Sequence, residues 1–205
     1  MRINNILFLH SSRTGGTNFE KTLGFKGHGE NPRVGTVAYG ENSESLMGFS
    51  RKNGCHLTHG SYQELVDKNY IKEDNKLIKV SILRSPYDRV VSLYKYFGGK
   101  KKWGDFHEFL GKLKKGMIKN YFYRPQYENI VYNDQIILDE CISFNNYSMD
   151  VDKFSNKYNL NLDIKFQDRR QYYQTGTNFI EFYKGNKNRI LVEELYEKDF
   201  IKLNF

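Results

Sequence analysis

Three groups of residues carry the chemistry legible in this chain of 205 residues. The first is the run Ser11-Ser12-Arg13-Thr14-Gly15-Gly16-Thr17-Asn18. Adjacent glycines let a backbone turn tightly and aim several N–H groups at one anion, and a helix that starts there adds its positive end. Arg13 adds a planar cation suited to phosphate, while Thr17 and Asn18 are donors at the helix start. The second group is Arg84 with Ser92 eight residues later. An arginine can fork onto phosphate oxygens, and a hydroxyl about two turns into the next helix can donate to the same anion. The third is His56-Leu57-Thr58-His59-Gly60-Ser61-Tyr62, lying between the other two. Imidazole titrates near neutral pH, so either histidine suits proton abstraction from a hydroxyl.

Each group needs an element to hold it. Ile6-Leu7-Phe8-Leu9-His10 is a compact apolar run of the kind found in buried parallel strands. Residues 11–16 form a turn cluster, and Phe19 and Leu23, four apart, predict a short helix. Leu77 to Leu83 predicts a second strand, stopped by Arg84-Ser85-Pro86. Pro86 pre-sets a helical first turn, Asp88 complements its positive end, and Val90, Val91, Leu93, Tyr94 and Phe97 give the helix an apolar face. Both anion-type groups therefore follow expected strands, where α/β sheets bind ligands. Further along, helices are expected around 64–66, 106–113 and 194–203, and a late strand at Arg189-Ile190-Leu191-Val192. Residues 136–142 fit helix or strand, and 25–55 read as a long irregular excursion. Alternating strands and helices predict an α/β fold, a central parallel sheet flanked by helices in three layers, with 1–205 as a single domain.

Composition bounds the partners. Apolar residues make up 39% of the chain, and none of their runs approaches the roughly 20 needed to cross a bilayer, so no membrane span is expected. The opening lacks a secretory leader pattern, and two cysteines make no disulfide framework, which together predict a cytoplasmic protein. Cys55 and Cys141 are expected to pack as small apolar groups, and no metal cluster is apparent. Net charge is +8, and nine Lys/Arg face only Asp105 and Glu108 between Lys95 and Arg124. That concentration favours an anionic partner, although a solvated basic surface would read the same way.

The glycine run is neither a Walker A loop, lacking Gly-Lys-Ser/Thr, nor a GxGxxG fingerprint, and an ordinary strand–helix connection also uses two glycines. Its wording, from Phe8 to Phe19, resembles the 5′-phosphosulfate loop of the sulfotransferases, usually written Pro-Lys-Thr-Gly-Gly-Thr, with Ser12 in place of proline and Arg13 in place of lysine. Val80 to Tyr94 resembles the 3′-phosphate segment of the same family, and His59-Gly60-Ser61-Tyr62 is similar to the His-x-Ser-Tyr run of the heparan sulfate and uronyl 2-O-sulfotransferases. The resemblance implies a P-loop-like fold and 3′-phosphoadenosine 5′-phosphosulfate (PAPS) as donor, with 3′-phosphoadenosine 5′-phosphate (PAP) as product. It implies no metal, and a hydroxyl acceptor on a glycan, anionic glycans included, or on a small molecule. It gives Arg13, Thr14, Gly15, Gly16, Thr17 and Asn18 to the 5′-phosphosulfate, Arg84 and Ser92 to the 3′-phosphate, and His59 the role of general base. Arg13 would also stabilise the leaving charge. His56 competes with His59, and Glu20 and Glu64 are alternative bases because other sulfotransferases use glutamate.

Arg124-Pro125-Gln126-Tyr127 and 189–203 resemble fold markers of the family, and Arg89 is expected to pair within the protein. No second 3′-phosphate loop is clear, with 184–189 the only stand-in. Trp103 is a stacking platform for a sugar or adenine, or else a packing residue. The competing readings are a P-loop kinase, a basic nucleic-acid-binding module and an inactive relative that only binds the nucleotide. The nucleic-acid reading lacks any RNP, KH or zinc motif, so no nucleic acid partner is expected.

Overall fold

The structure, a computed structural model, describes residues 1–24, 46–50, 52, 54–73, 76–162 and 179–205. Most of the irregular 25–55 stretch lies outside the described residues. In chain order the strands are β1 (Arg2–Ile3), β2 (Ile6–Phe8), β3 (Phe49–Ser50), β4 (Cys55–His56), β5 (Ile78–Leu83), β6 (Val131–Tyr132), β7 (Gln135–Ile136) and β8 (Glu140–Ser143). The helices are α1 (Gly16–Thr22), α2 (Tyr62–Asp67), α3 (Pro86–Tyr96), α4 (Gly99–Trp103), α5 (Phe106–Lys114), α6 (Gln126–Asn129), α7 (Tyr147–Lys157), α8 (Lys187–Leu195) and α9 (Glu197–Leu203). The chain divides into two compact units, one from 1–83 and 128–166, the other from 84–127 and 167–205.

The first unit is built on a four-stranded sheet in the order β1-β2-β5-β8. β2 pairs parallel with β5, placing Phe8 opposite Val80, and β5 pairs parallel with β8, placing Ile82 opposite Ile142. Only β1 is antiparallel. The apolar runs behave as their composition demands. Phe8, Val80 and Ile82 are fully buried and pack with Phe19 of α1 and Val151 and Phe154 of α7. At about 25 cal/mol per Å² such burial dominates the stability of the unit. The ambiguous stretch 136–142 resolves into the β6–β7 hairpin and the parallel strand β8. Cys55 packs inside as expected, whereas Cys141 is exposed, because it lies on β8 one residue from the buried Ile142 and alternation turns it to the other face.

The second unit gathers Val90, Val91, Leu93 and Tyr94 of α3 against Phe106, Phe109 and Leu110 of α5. Pro86 opens α3 as its ring geometry predicts, and Asp105 caps α5 in a reciprocal box with Glu108. The late strand expected at 189–192 is instead the middle of α8. Three consecutive branched or aliphatic residues suggested a strand, but Asn188, Leu191, Val192 and Leu195 fall on one helical face, with Val192 buried and Arg189 paired to Glu193 one turn on. The stand-in loop at 184–189 accordingly runs into this helix, and Arg189 is engaged by Glu193 and by the Tyr87 hydroxyl. Among the described residues no helix is long and apolar enough to cross a membrane.

Candidate functional site

The glycine run leaves β2 through Leu9, whose N–H is bound by Val80 O at 2.9 Å while its carbonyl accepts the Ser81 hydroxyl at 2.7 Å. The turn that follows is closed from within. Thr14 donates its hydroxyl to Ser11 O at 2.8 Å, and the buried Asn129 donates Nδ2 to Ser11 Oγ at 2.8 Å. Thr14 therefore shapes the turn with its side chain. Arg13 takes a left-handed φ of 65°, a conformation that costs a non-glycine residue of order 1 kcal/mol. The two glycines answer two different demands. Gly15 has φ 89° and stands at the start of α1, where a Cβ would also meet the Phe144 ring at 3.2 Å. Gly16 is pressed against His10, and a Cβ there would have Nε2, Cδ2 and Cε1 of the imidazole all within 2.8 Å.

His10 ties this turn to the histidine motif. Its ring stacks on Phe8 with centroids 5.2 Å apart, and its Nδ1 lies 2.6 Å from Oε1 of Glu20, which is fully buried on α1. Its carbonyl lies 3.0 Å from Nδ1 of His59. A carbonyl oxygen only accepts, so His59 Nδ1 carries the hydrogen, which in a neutral ring leaves Nε2 as the basic nitrogen. The His59 ring lies 4.4 Å from that of His10 and 5.1 Å from that of His56, centroid to centroid. His59 is 8% exposed and ends a 3-10 turn, Leu57–His59, held by Thr58 accepting the Gly48 N–H at 3.0 Å.

The rest of the His-Gly-Ser-Tyr run is scaffold. Ser61 caps α2 in a reciprocal box with Glu64, whose carboxylate accepts the Ser61 N–H at 2.8 Å, and Tyr62 is buried. Glu64 is thereby committed to the cap, and Glu20 to His10, so of the residues considered as bases His59 has the clearest geometry.

Arg84 and Ser92 belong to the second unit. The backbone of Arg84 is gripped at both ends by the fully buried side chain of Gln126, with Arg84 N donating to Oε1 at 2.9 Å and Nε2 donating to Arg84 O at 2.8 Å. Gln126 is itself fixed by the buried Asp199 carboxylate, which accepts the N–H groups of Gln126 at 3.0 Å and Tyr127 at 2.8 Å. The Arg84 guanidinium lies over the Phe179 ring, 5.9 Å from its centroid. Ser92 is almost buried on α3. Arg89 is buried and donates to the carbonyls of Phe122 and Arg124 at 3.0 and 2.9 Å, the internal pairing expected of it. Trp103 is half-buried, with its indole N–H bound to Phe97 O at 3.0 Å and Lys102 4.5 Å from its ring, so it packs within the second unit.

Sequence reasoning passed over His10, because a single histidine at a strand end carries no spacing signal. A charged Glu20 beside Phe19 on the apolar side of a short helix was the available hint that a buried partner existed. Gln126 stands in the sequence only as a fold marker, and its burial is answered by hydrogen bonds to the Arg84 backbone and to Asp199. Comparison with protein-family models, with curated proteins and with solved structures gave no match, so the reading of this site rests on its residues and their geometry.

Proposed function

We propose that this chain is a PAPS-dependent sulfotransferase with a P-loop-like arrangement of its sheet and first anion loop. The observation that carries the reading is the His59 Nδ1 contact with His10 O, which sets the His59 ring against His10, itself packed on Gly16. A base held in one tautomer, next to a tight turn with an arginine on it, suits proton abstraction coupled to transfer of an anionic group.

In this reading His59 Nε2 takes the acceptor's hydroxyl proton as the acceptor oxygen forms its bond to sulfur. The bond from sulfur to the 5′-phosphate oxygen breaks, and that oxygen keeps the electron pair. Arg13 and the backbone N–H groups of Gly15, Gly16 and Thr17 stabilise the charge that grows there, with Asn18 and Thr14 keeping the turn in shape. Arg84 and Ser92 take the 3′-phosphate through a guanidinium and a hydroxyl donor. The acceptor is a hydroxyl on a glycan or small molecule, and the exposed Lys100, Lys101 and Lys102 favour an anionic one.

A thermal-shift screen with PAP, ATP, GTP and NAD tests this, followed by a transfer assay with labelled donor. PAP is expected to raise the melting temperature, and ATP, GTP and NAD to leave it unchanged. Stabilisation by ATP with magnesium and none by PAP would overturn the reading in favour of phosphoryl transfer.

A further inference from the structure

A cleft of about 660 Å³ opens at the end of the first unit's sheet away from the glycine turn. Asn5 leads directly into β2 and Leu77 directly into β5, and both line the cleft, whereas the glycine run follows the other end of β2. At about 3.3 Å per residue, the length of β5 puts roughly 20 Å between the two ends of the sheet. The walls of the cleft are two turns fixed by backbone hydrogen bonds. The β1–β2 turn holds Asn4 at a left-handed φ of 50° and ties Asn5 O to the Ile78 N–H at 2.7 Å. The turn after α2 holds Asn69 at a φ of 58°, with the Asn69 N–H on Val66 O and the Tyr70 N–H on Leu65 O, both at 2.8 Å. Ile71 and Leu77, both buried, anchor the lining to the core.

Among the described residues that line this cleft, three are cations, Arg2, Lys72 and Lys76, and none is acidic. Two neighbouring acids are engaged elsewhere: Glu73 takes the Tyr132 hydroxyl, and Asp67 accepts Nε2 of Gln63 at 2.8 Å. Three cations around one depression build a positive potential that draws an anion. The cations and the three asparagines of the lining are exposed, so the cleft is open and suits a chain laid across it better than a small molecule enclosed in it. Asparagine amides both donate and accept, as sugar hydroxyls do, and the half-buried Tyr70 adds a phenol with an apolar body and a polar tip. A single-stranded nucleic acid needs a series of rings on which successive bases stack, and the lining has one aromatic residue. We infer that this cleft binds an acidic sugar chain, whose sulfate or carboxylate groups pair with Arg2, Lys72 and Lys76 and whose hydroxyls pair with Asn4, Asn5 and Asn69. The site stands apart from the glycine turn and holds whether or not that turn carries PAPS.

Fluorescence anisotropy with a labelled heparin hexasaccharide tests it on wild type, on Lys72→Gln/Lys76→Gln, and on Lys153→Gln/Lys157→Gln, which removes the same charge from α7. Labelled maltohexaose, which is neutral, and labelled hexathymidylate are the comparison probes. Wild type is expected to bind the heparin fragment more tightly than either. Lys72→Gln/Lys76→Gln is expected to weaken that binding by roughly three- to thirtyfold, the worth of two exposed ion pairs, and the α7 variant by no more than about twofold. Saturating PAP is expected to leave binding of the fragment unchanged. A loss in Lys72→Gln/Lys76→Gln no greater than in the α7 variant would reduce the effect to bulk charge and overturn the inference. Maltohexaose binding as tightly as the heparin fragment, or hexathymidylate binding more tightly, would overturn it as well. Displacement of the fragment by PAP would place it at the donor's site, overturning this inference while supporting the donor reading. A protein that binds the fragment through Lys72 and Lys76 but does not bind PAP would keep this cleft and sink the donor reading.

Discussion

Replacing Gly16 with alanine would drive a methyl group into His10. The three nearest imidazole atoms lie within 2.8 Å of where that methyl must go, and ordinary contact begins near 3.4 Å, so the ring has to retreat by more than half an ångström. His10 has little room to do so. Glu20 holds its Nδ1 at 2.6 Å and Phe8 lies against its face. Overpacking of a tight interior costs about 1–3 kcal/mol, and disturbing the buried contact of His10 with Glu20 adds to it, so a loss of about 3 kcal/mol is expected. Gly15→Ala meets a softer obstacle, a φ of 89° and the Phe144 ring edge at 3.2 Å, and should cost about 1–2 kcal/mol. Gly111→Ala has nothing within 4 Å and lies inside α5, so it should stabilise by about 0.5–1 kcal/mol. Urea denaturation followed by circular dichroism gives all three values. The decisive comparison repeats Gly16→Ala in a His10→Ala background, where the methyl group has space and most of the cost should vanish. An undiminished cost in that background, or an order in which Gly15→Ala is the worse of the two, refutes the steric argument.

His59→Ala should lower sulfuryl transfer by roughly 10²–10⁴-fold while leaving PAP affinity near wild type, and near-normal turnover would remove His59 from the mechanism. Gln126→Ala strands the Arg84 N–H and carbonyl in a buried setting and removes the longer Nε2 contact to Asp199, so a loss of about 2–4 kcal/mol is expected by urea denaturation, together with weaker PAP binding. A loss below about 1 kcal/mol would show that the amide clamp matters little. Ser61→Ala should cost about 1 kcal/mol through the lost cap of α2, with no change in the pH dependence of turnover. Burial pushes the Tyr147 phenol up to about 12 from its ordinary value near 10. The folded state therefore holds that proton longer than the unfolded chain, so its contribution is complete below pH 10 and is lost as pH rises toward 12. The loss amounts to about 2–3 kcal/mol, and Tyr147→Phe should flatten that part of the stability–pH curve.

The parts of the fold legible in the sequence were those where one local rule spoke alone. β2 and β5 are short apolar runs buried on both faces, and α3 begins at Pro86 with an apolar stripe behind it. β8 was ambiguous because Glu140-Cys141-Ile142-Ser143 buries a single residue fully, and its identity as a strand comes from pairing with β5 rather than from its own pattern. The stretch 189–192 misled because branched side chains favour strands only when a partner strand is present, and there a helical face found a core first. At the site, Gly15, Gly16 and His59 were visible as residue types in a suggestive order. What the sequence did not reveal was their dependence on His10 and Glu20, or the dependence of Arg84 on Gln126. Those contacts join residues far apart in the chain through single hydrogen bonds, and such bonds leave no periodicity behind.

The carboxylate of Asp199 has a consequence for how the chain acquires its shape during synthesis. Arg84 is among the earlier residues to leave the ribosome, and Gln126 follows some forty residues later. The group that sets Gln126 in place arrives only with residue 199, across a separation of 73 positions. Closing so long a loop is slow relative to forming local helices. The backbone at Arg84 therefore passes through a long nascent stage in which α3 can already be wound while its leading arginine has no fixed carbonyl or N–H partner. The final helix is what converts that loosely hinged entry into a rigid one.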